Sequence, residues 1–303
     1  MRKFLIFTPP YSANSGGAVC LHKLAHLINT LGYEAYLYPS FVNDEISIRN
    51  LFSPAFTALK SYIGHPFKSF ETNPSFNTPI LNSYKNQVYG DEWIVIYPEV
   101  IFGNPLFAKN IVRWLLHQPG YHTKKIYYGE GELHVRFNQA IKPFYYPNST
   151  LAEYLLPIIH YPLELYSEKD VALDRSGTAF CIRKGRKKFI SQKSGDILID
   201  NLKHEEVAKI FKRVERFISY DSYTAYSRFA ALCGCDSIVV PDSGVKECEW
   251  YPNPVDRYGV SYGFEGVEKA RKTKSLLLEK IIKEHKSLEE ITMNFIFNAN
   301  KFF

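Results

Sequence analysis

The chain is organised by short apolar runs, each followed by a polar or glycine-bearing loop and then by a helical periodicity. KFLIFT (3–8) is a buried-strand pattern stopped by Pro9 and Pro10, and behind it comes SANSGGAVCLHKLAHLINTLG (12–32). There Leu21, Leu24, Ala25, Ile28 and Leu31 fall on one helical face, Gly32 stands where the helix should end, and EAYLYP resumes a strand. Strand, loop, helix and strand in this order begin a parallel sheet with crossover helices. The grammar restarts in TAFCIRKG (178–185), GDILID, the amphipathic KHEEVAKIFKRV (203–214), RFISYD, TAYSRFAALCG with Gly234 at its end, and DSIVVPD. An α/β chain with two parallel-sheet halves is therefore expected.

Between these stretches the pattern is looser. Residues 41–90 are rich in Asn, Ser and Pro and predict loops with one or two short helices. A buried strand is expected over 93–97, a helix or strand-like core around Ile111 to Leu116, and short strands within 126–137 and 158–163. One or two amphipathic helices are expected from about Val267 to Phe297. The exposed character of YPLELYSEKD puts a domain boundary within 155–175. The predicted domains are 1–160 and 161–280, with a closing amphipathic helix over 281–303 that packs back on the first.

Composition narrows the function classes. The hydrophobic share is 46% and the charged share 22%, a globular balance that excludes a disordered chain. The formal net charge of +6 suits polyanionic partners, which include nucleic acid, anionic lipid and a nucleotide diphosphate. Five cysteines without a C-x-x-C pair read as reduced thiols, and there is no Walker A motif, so redox and ATPase readings are disfavoured. The apolar part of MRKFLIFTPP is too short for a signal peptide, and no run approaches the roughly 18 apolar residues of a membrane span. A cytoplasmic chain is expected, with a peripheral contact at the inner face of the membrane left open.

In a parallel α/β sheet, ligands bind beyond the carboxyl ends of the strands. The groups placed there are Gly16 and Gly17, Pro98 and Glu99, the basic loop CIRKGRKK, Asp221 with Ser222, Tyr223 and Thr224, and the stretch around Asp242. Arg183, Lys184, Arg186, Lys187 and Lys188 concentrate charge around Gly185, which suits a diphosphate; a solvated basic hairpin or a lipid contact is the plainer alternative. Ser222 and Thr224 are placed to cap the following helix and leave backbone N–H groups for phosphate, while Asp221 suits a ribose or sugar hydroxyl. Arg228, one turn on, is a further candidate for the anion site. Glu99 is the general base that topology favours, with His117 and Glu130 as alternatives in polar loops. His22 and His26 stand one helical turn apart without the Glu of H-E-x-x-H, and two surface histidines are expected there, not a zinc site. No D-x-D occurs, and no metal site is expected. GVSYG matches G-x-S-x-G, but the turn-rich YPNPVDRY before it makes Ser261 a loop serine and not a nucleophile.

Two stretches, SGGAVCLHKLAHLINTLGYEAYLY and FISYDSYTAYSRFAALCGCDSIVVPD, the second followed by YGVSYGFEGVEKA, resemble GT-B-fold glycosyltransferases. The likeness is greatest to bacterial enzymes that build capsular or lipopolysaccharide glycans. It implies two Rossmann-like domains facing across a cleft, a nucleotide diphosphate sugar held mainly by the second, and a glycan or lipid-linked acceptor on the first. It further implies that Gly16 and Gly17 approach the donor, and that Arg183, Lys184 and Lys187 meet the diphosphate with Ser222, Tyr223 and Thr224 beside it. Asp221 and Asp242 would contact hydroxyls or act as base. No permanently bound cofactor is implied. The E-x-F-G-x-x-x-x-E segment of many retaining members has no counterpart, since Asp221 is followed by SYTAYSRF, so metal-independent inversion is expected.

Two rival classes remain on sequence: a non-catalytic subunit of a glycan-assembly machine, and a basic nucleic-acid-binding protein using CIRKGRKK. Nucleic acid is not the expected partner, because the aromatic residues lie mostly in apolar strands and are not interleaved with the basic ones. The lysines and LLL run of the last helix offer an inner-membrane contact, but covering a sheet face is the preferred use of its apolar residues.

Overall fold

The computed structural model describes residues 1–40, 70–81, 88, 90–191 and 193–303. The loops and short helices expected over 41–90 lie largely outside these. The protein is α/β with two all-parallel sheets, one in each of two compact Rossmann-like units: Met1–His160 with Ser287–Phe303, and Tyr161–Lys286.

The first unit contains β1 (Lys3–Thr8), α1 (Gly16–Thr30), β2 (Ala35–Pro39), β3 (Trp93–Pro98), β4 (Asn110–Leu115), β5 (Leu133–Arg136) and β6 (Thr150–Leu155), in sheet order β2-β1-β3-β4-β5-β6. Side chains alternate between faces. Phe4, Ile6, Ile94, Ile96, Val112, Trp114, Leu133 and Val135 point to one side, where they pack with Leu21, Leu24 and Ile28 of α1. Leu5, Phe7, Val95, Tyr97 and Ile111 point to the other, where Ile101, Leu106 and Ala108 cover them. Among the described residues that second cover is irregular chain: the connections over 99–109, 116–132 and 137–149 contain no helix. Where the repeated strand–helix grammar predicts crossover helices, the later strands of this sheet are joined by loops. No strand forms over 158–163; the last strand is β6, an edge strand with several exposed side chains and hence little apolar alternation to read.

The second unit contains β7 (Thr178–Cys181), β8 (Ile197–Leu198), α2 (His204–Phe211), β9 (Arg216–Ser219), α3 (Tyr226–Leu232), β10 (Asp236–Val239), α4 (Glu247–Trp250) and β11 (Val260–Tyr262), in order β11-β10-β9-β7-β8. Gly32 and Gly234 end α1 and α3 with φ of +83° and +86°, a left-handed conformation that side chains resist. Each is followed by a residue whose N–H bonds back into the last turn, Tyr33 to Ile28 O and Cys235 to Ala230 O. Ser261 lies inside β11, buried, with its hydroxyl donated to Gly263 O, so the G-x-S-x-G match is a strand and not a nucleophile elbow.

The chain ends in a single helix, α5 (Val267–Phe302), uninterrupted because the segment holds neither Gly nor Pro. Its residues from Ser287 count with the first unit, where Leu288, Phe295, Ile296 and Ala299 join the core on the α1 side of the sheet. Arg2 holds its end, donating to Asn300 O and Phe303 O at 3.0 and 2.8 Å, as a cation at a helix C-terminus should.

Candidate functional site

Strand order reverses once in each sheet, between β1 and β3 in the first and between β7 and β9 in the second. Loops leaving such strands diverge, and that is where open α/β sheets bind ligands.

At the first reversal, Ser15 starts α1 by accepting the Ala18 N–H on its hydroxyl at 3.4 Å. Gly16 and Gly17 are the first helical residues. Neither has a positive φ; among the described residues a Cβ on Gly16 would meet nothing within 4 Å, and one on Gly17 only Leu116 Cδ1 at 3.7 Å. Glu99, at the end of β3, is buried and accepts the Leu116 N–H on Oε2 at 3.0 Å. Leu116 thus stands between Gly17 and the carboxylate. His117 comes next, half-buried, with Nδ1 accepting the Gln118 N–H at 2.8 Å and its ring stacked on Tyr121 at 4.1 Å. Glu130 is exposed on a loop.

Behind Glu99 lies a network that the residue order does not announce. Arg113, inside β4, is fully buried and donates Nε and one terminal nitrogen to Glu132 at 2.9 and 2.6 Å, and its guanidinium also donates to Ile101 O and Gly103 O, each at 2.8 Å. Glu132 also accepts the Gly129 N–H at 2.7 Å and lies 3.2 Å from His134 Nε2. The guanidinium sits 4.5 Å over the Tyr128 ring, whose hydroxyl donates to Glu99 O at 2.7 Å. Arg113 therefore fixes the chain just after Glu99, at Ile101 and Gly103, while Tyr128 beneath its guanidinium holds the Glu99 carbonyl. Burial pushes the Glu132 carboxyl up, but hydrogen bonds from His134 and Arg113 outweigh it and hold it below the usual carboxylate range.

His22 is not a surface residue. It is wholly buried, Nε2 donates to Pro9 O at 3.0 Å, Nδ1 has no partner among the described residues, and its ring stacks on Phe70. Burial holds its pKa below the usual imidazole value. His26 accepts the Asn77 N–H on Nδ1 at 3.0 Å, so the two rings serve packing and chain fixation.

At the second reversal Lys188 is the organising cation. Its Nζ donates to Ser222 Oγ at 2.7 Å and Val240 O at 2.6 Å and pairs with Asp242 Oδ1 at 2.8 Å. These contacts use its whole donor capacity and tie together the loops after β7, β9 and β10. Ser222 donates in turn to Asp242 Oδ2 at 2.6 Å. Burial raises the Asp242 carboxyl, but the bonds from Lys188 and Ser222 prevail and hold it below the usual range. Nothing in the sequence separates Lys188 from Lys187; only the path of the loop does.

Ser222 does not cap α3. The N-cap is Ala225, Ser222 is committed to Lys188 and Asp242, and the nearest substitute is Thr224, whose Oγ1 accepts the Tyr226 N–H at 3.3 Å. Asp221 is buried and accepts the Tyr223 N–H on Oδ1 at 3.1 Å, a local turn. The Tyr223 ring is half exposed and meets Tyr251 edge-on. Arg183, with φ +40°, gives its N–H to Asp200 Oδ2 at 2.9 Å, lays its guanidinium 5.0 Å over the Tyr226 ring and reaches Thr224 Oγ1 at 3.5 Å. Lys184 and Lys187 stand exposed, outside that cluster. Arg228 is spent elsewhere, on Tyr161 Oη and Asp256 O.

The structure thus assembles Glu99, His117 and the glycine pair at one strand-order reversal, and Arg183, Ser222, Thr224 and Asp242 at the other. Among the described residues no three His, Cys, Asp or Glu side chains converge as metal ligands, and no helix is long and apolar enough to cross a membrane. No model of a known protein family matches the chain, and no curated protein matches it significantly.

Proposed function

We propose that the protein is a glycosyltransferase that moves a sugar from a nucleotide diphosphate sugar to a hydroxyl of a glycan or lipid-linked acceptor, by inversion and without a metal, in the building of a surface glycan such as capsule or lipopolysaccharide. The observation that carries this reading is the Arg183–Thr224–Tyr226 cluster at the strand-order reversal of the second sheet, where a guanidinium is held against an aromatic ring beside a hydroxyl. A guanidinium matches a diphosphate bidentately, and its position suits the negative charge that develops as the donor breaks.

In this reading the second unit holds the donor. As the bond from the anomeric carbon to the diphosphate oxygen breaks, its electron pair leaves with the nucleotide diphosphate, and Arg183 would offset the charge. The acceptor oxygen forms the new bond to the same carbon, and its proton passes to a base. The first unit supplies that base: Glu99, at the end of β3, with His117 as the second choice. Asp242 is a poor base, since Lys188 and Ser222 favour its ionised form; it and Asp221 suit hydroxyl recognition.

Calorimetric titration of the folded protein with nucleoside diphosphates and nucleotide sugars tests the proposal. Binding is expected, weakened at least tenfold in Arg183→Ala, which removes a charged hydrogen-bond donor from the anion. A folded wild-type protein that binds none of these ligands would overturn it.

A further inference from the structure

We propose that the loop 184–190 is a membrane-docking element that seats this chain on an anionic phospholipid surface. The loop is pinned from within at three points. Gly185 packs so closely on Tyr220 O that a Cβ there would clash with it, the half-buried Lys188 is held by its bonds to Ser222, Val240 and Asp242, and the Ser191 N–H donates to Tyr220 Oη at 3.0 Å. The rest of the loop faces outward: Lys184, Arg186 and Lys187 are exposed, Phe189 is 87% exposed and Ile190 38%. Among the described residues none of these three cations takes part in an ion pair.

The loop divides its cations by direction. Arg183 and Lys188 turn inward to the cluster described above, while Lys184, Arg186 and Lys187 are left with water. A phenyl ring almost wholly in water contributes nothing to a core, and beside it stands an aliphatic side chain that cannot stack on a base. Cations flanking an aromatic and an aliphatic tip match a bilayer interface: the charges meet anionic headgroups and the tip enters the acyl boundary. A nucleic-acid surface would instead interleave flat aromatic rings with the cations. Docking through this loop does not rest on the glycosyltransferase reading, and it leaves the apolar residues of α5 to their sheet.

The test is co-sedimentation of the full chain with phosphatidylcholine vesicles, with and without phosphatidylglycerol. Binding is expected only to the anionic vesicles and should weaken as salt is raised. The triple variant Lys184→Ser, Arg186→Ser, Lys187→Ser should bind about 100-fold more weakly, from about fivefold per charge. In Phe189→Trp, the emission of the new tryptophan should shift to the blue on adding anionic vesicles, over a constant background from the three native tryptophans, all buried. These substitutions are on exposed side chains, and circular dichroism checks that each variant is folded. No binding at low salt, undiminished binding by the triple variant, or an unshifted Phe189→Trp emission would each overturn the proposal. A gel shift showing tighter association with DNA than with vesicles, lost in the same triple variant, would replace lipid with nucleic acid.

Discussion

Replacing Glu132 with Gln should unfold the first unit far more easily than any surface change, and the magnitude follows from what the substitution strands. Arg113 and Glu132 are both fully excluded from solvent and joined by two hydrogen bonds. Their attraction offsets the cost of taking both charges out of water. In Glu132→Gln the guanidinium remains buried, but its partner is neutral and can present only one oxygen. Breaking a buried pair in this way costs about 3–5 kcal/mol. For a unit of this size that corresponds to a fall of about 6–20 °C in melting temperature.

The two units need not unfold together, so calorimetry should be paired with hydrogen exchange resolved to peptides of β4 and β5 and of α3. Protection should be lost in the first pair and kept in α3. The pH dependence gives a second reading. The folded-state pKa of Glu132 is depressed, so its contribution is present above the ordinary carboxylate value of 4.5 and is lost as pH falls through the lower, folded value. Wild type should therefore converge toward the variant in acid. A melting temperature within about 2 °C of wild type at neutral pH, less than the shift from about 1 kcal/mol, would refute the reasoning.

Other perturbations separate site from scaffold. Gly16→Ala and Gly17→Ala should leave stability unchanged or raise it by up to about 1 kcal/mol, because alanine is the better helix former and neither Cβ meets a clash; urea melts check this, and weaker nucleotide-sugar turnover in either would assign the glycines to the ligand. Lys188→Met should cost about 1–2 kcal/mol in urea unfolding through three lost polar contacts, discounted because the Asp242 side chain is 41% exposed. His22 has a depressed folded-state pKa, so the folded protein resists its protonation. Its contribution should be complete above the unfolded value near 6.5 and shrink as pH falls below it, a slope that His22→Phe should remove in urea melts at a series of pH values.

The parts of the fold legible in the sequence were those where one physical demand dominates. Short continuous apolar runs place β1, β3 and β9, and the helix-ending glycines announce themselves because a left-handed residue is required there. The helix-less connections between β3 and β6 were not legible, because strand patterns report burial and not the path between strands. Arg113 is the sharpest case: inside NIVRWL a charge reads as an edge or a solvent face, and only the carboxylate nineteen positions away makes its burial tolerable. Lys188 was hidden for the opposite reason, being one of three consecutive basic residues, Arg186 to Lys188, of which it alone turns inward.

The glycine pair shows how such failures can be used. Gly32, Gly234 and Gly185 are accounted for from within, the first two by positive φ and the third by the Tyr220 carbonyl against it. Gly16 and Gly17 satisfy no such demand: their backbone is ordinary helix, there is room for a side chain, and a glycine costs a helix about 1 kcal/mol relative to alanine. A residue that lowers stability without serving the fold points to something the fold does not contain. Here a Cβ on Gly17 would touch Leu116, the residue that binds the Glu99 carboxylate, at the strand-order reversal where α/β sheets receive ligands. Backbone conformation accounts for Gly32 and Gly234 and close packing for Gly185, so Gly16 and Gly17 are where a ligand should be sought in the first unit.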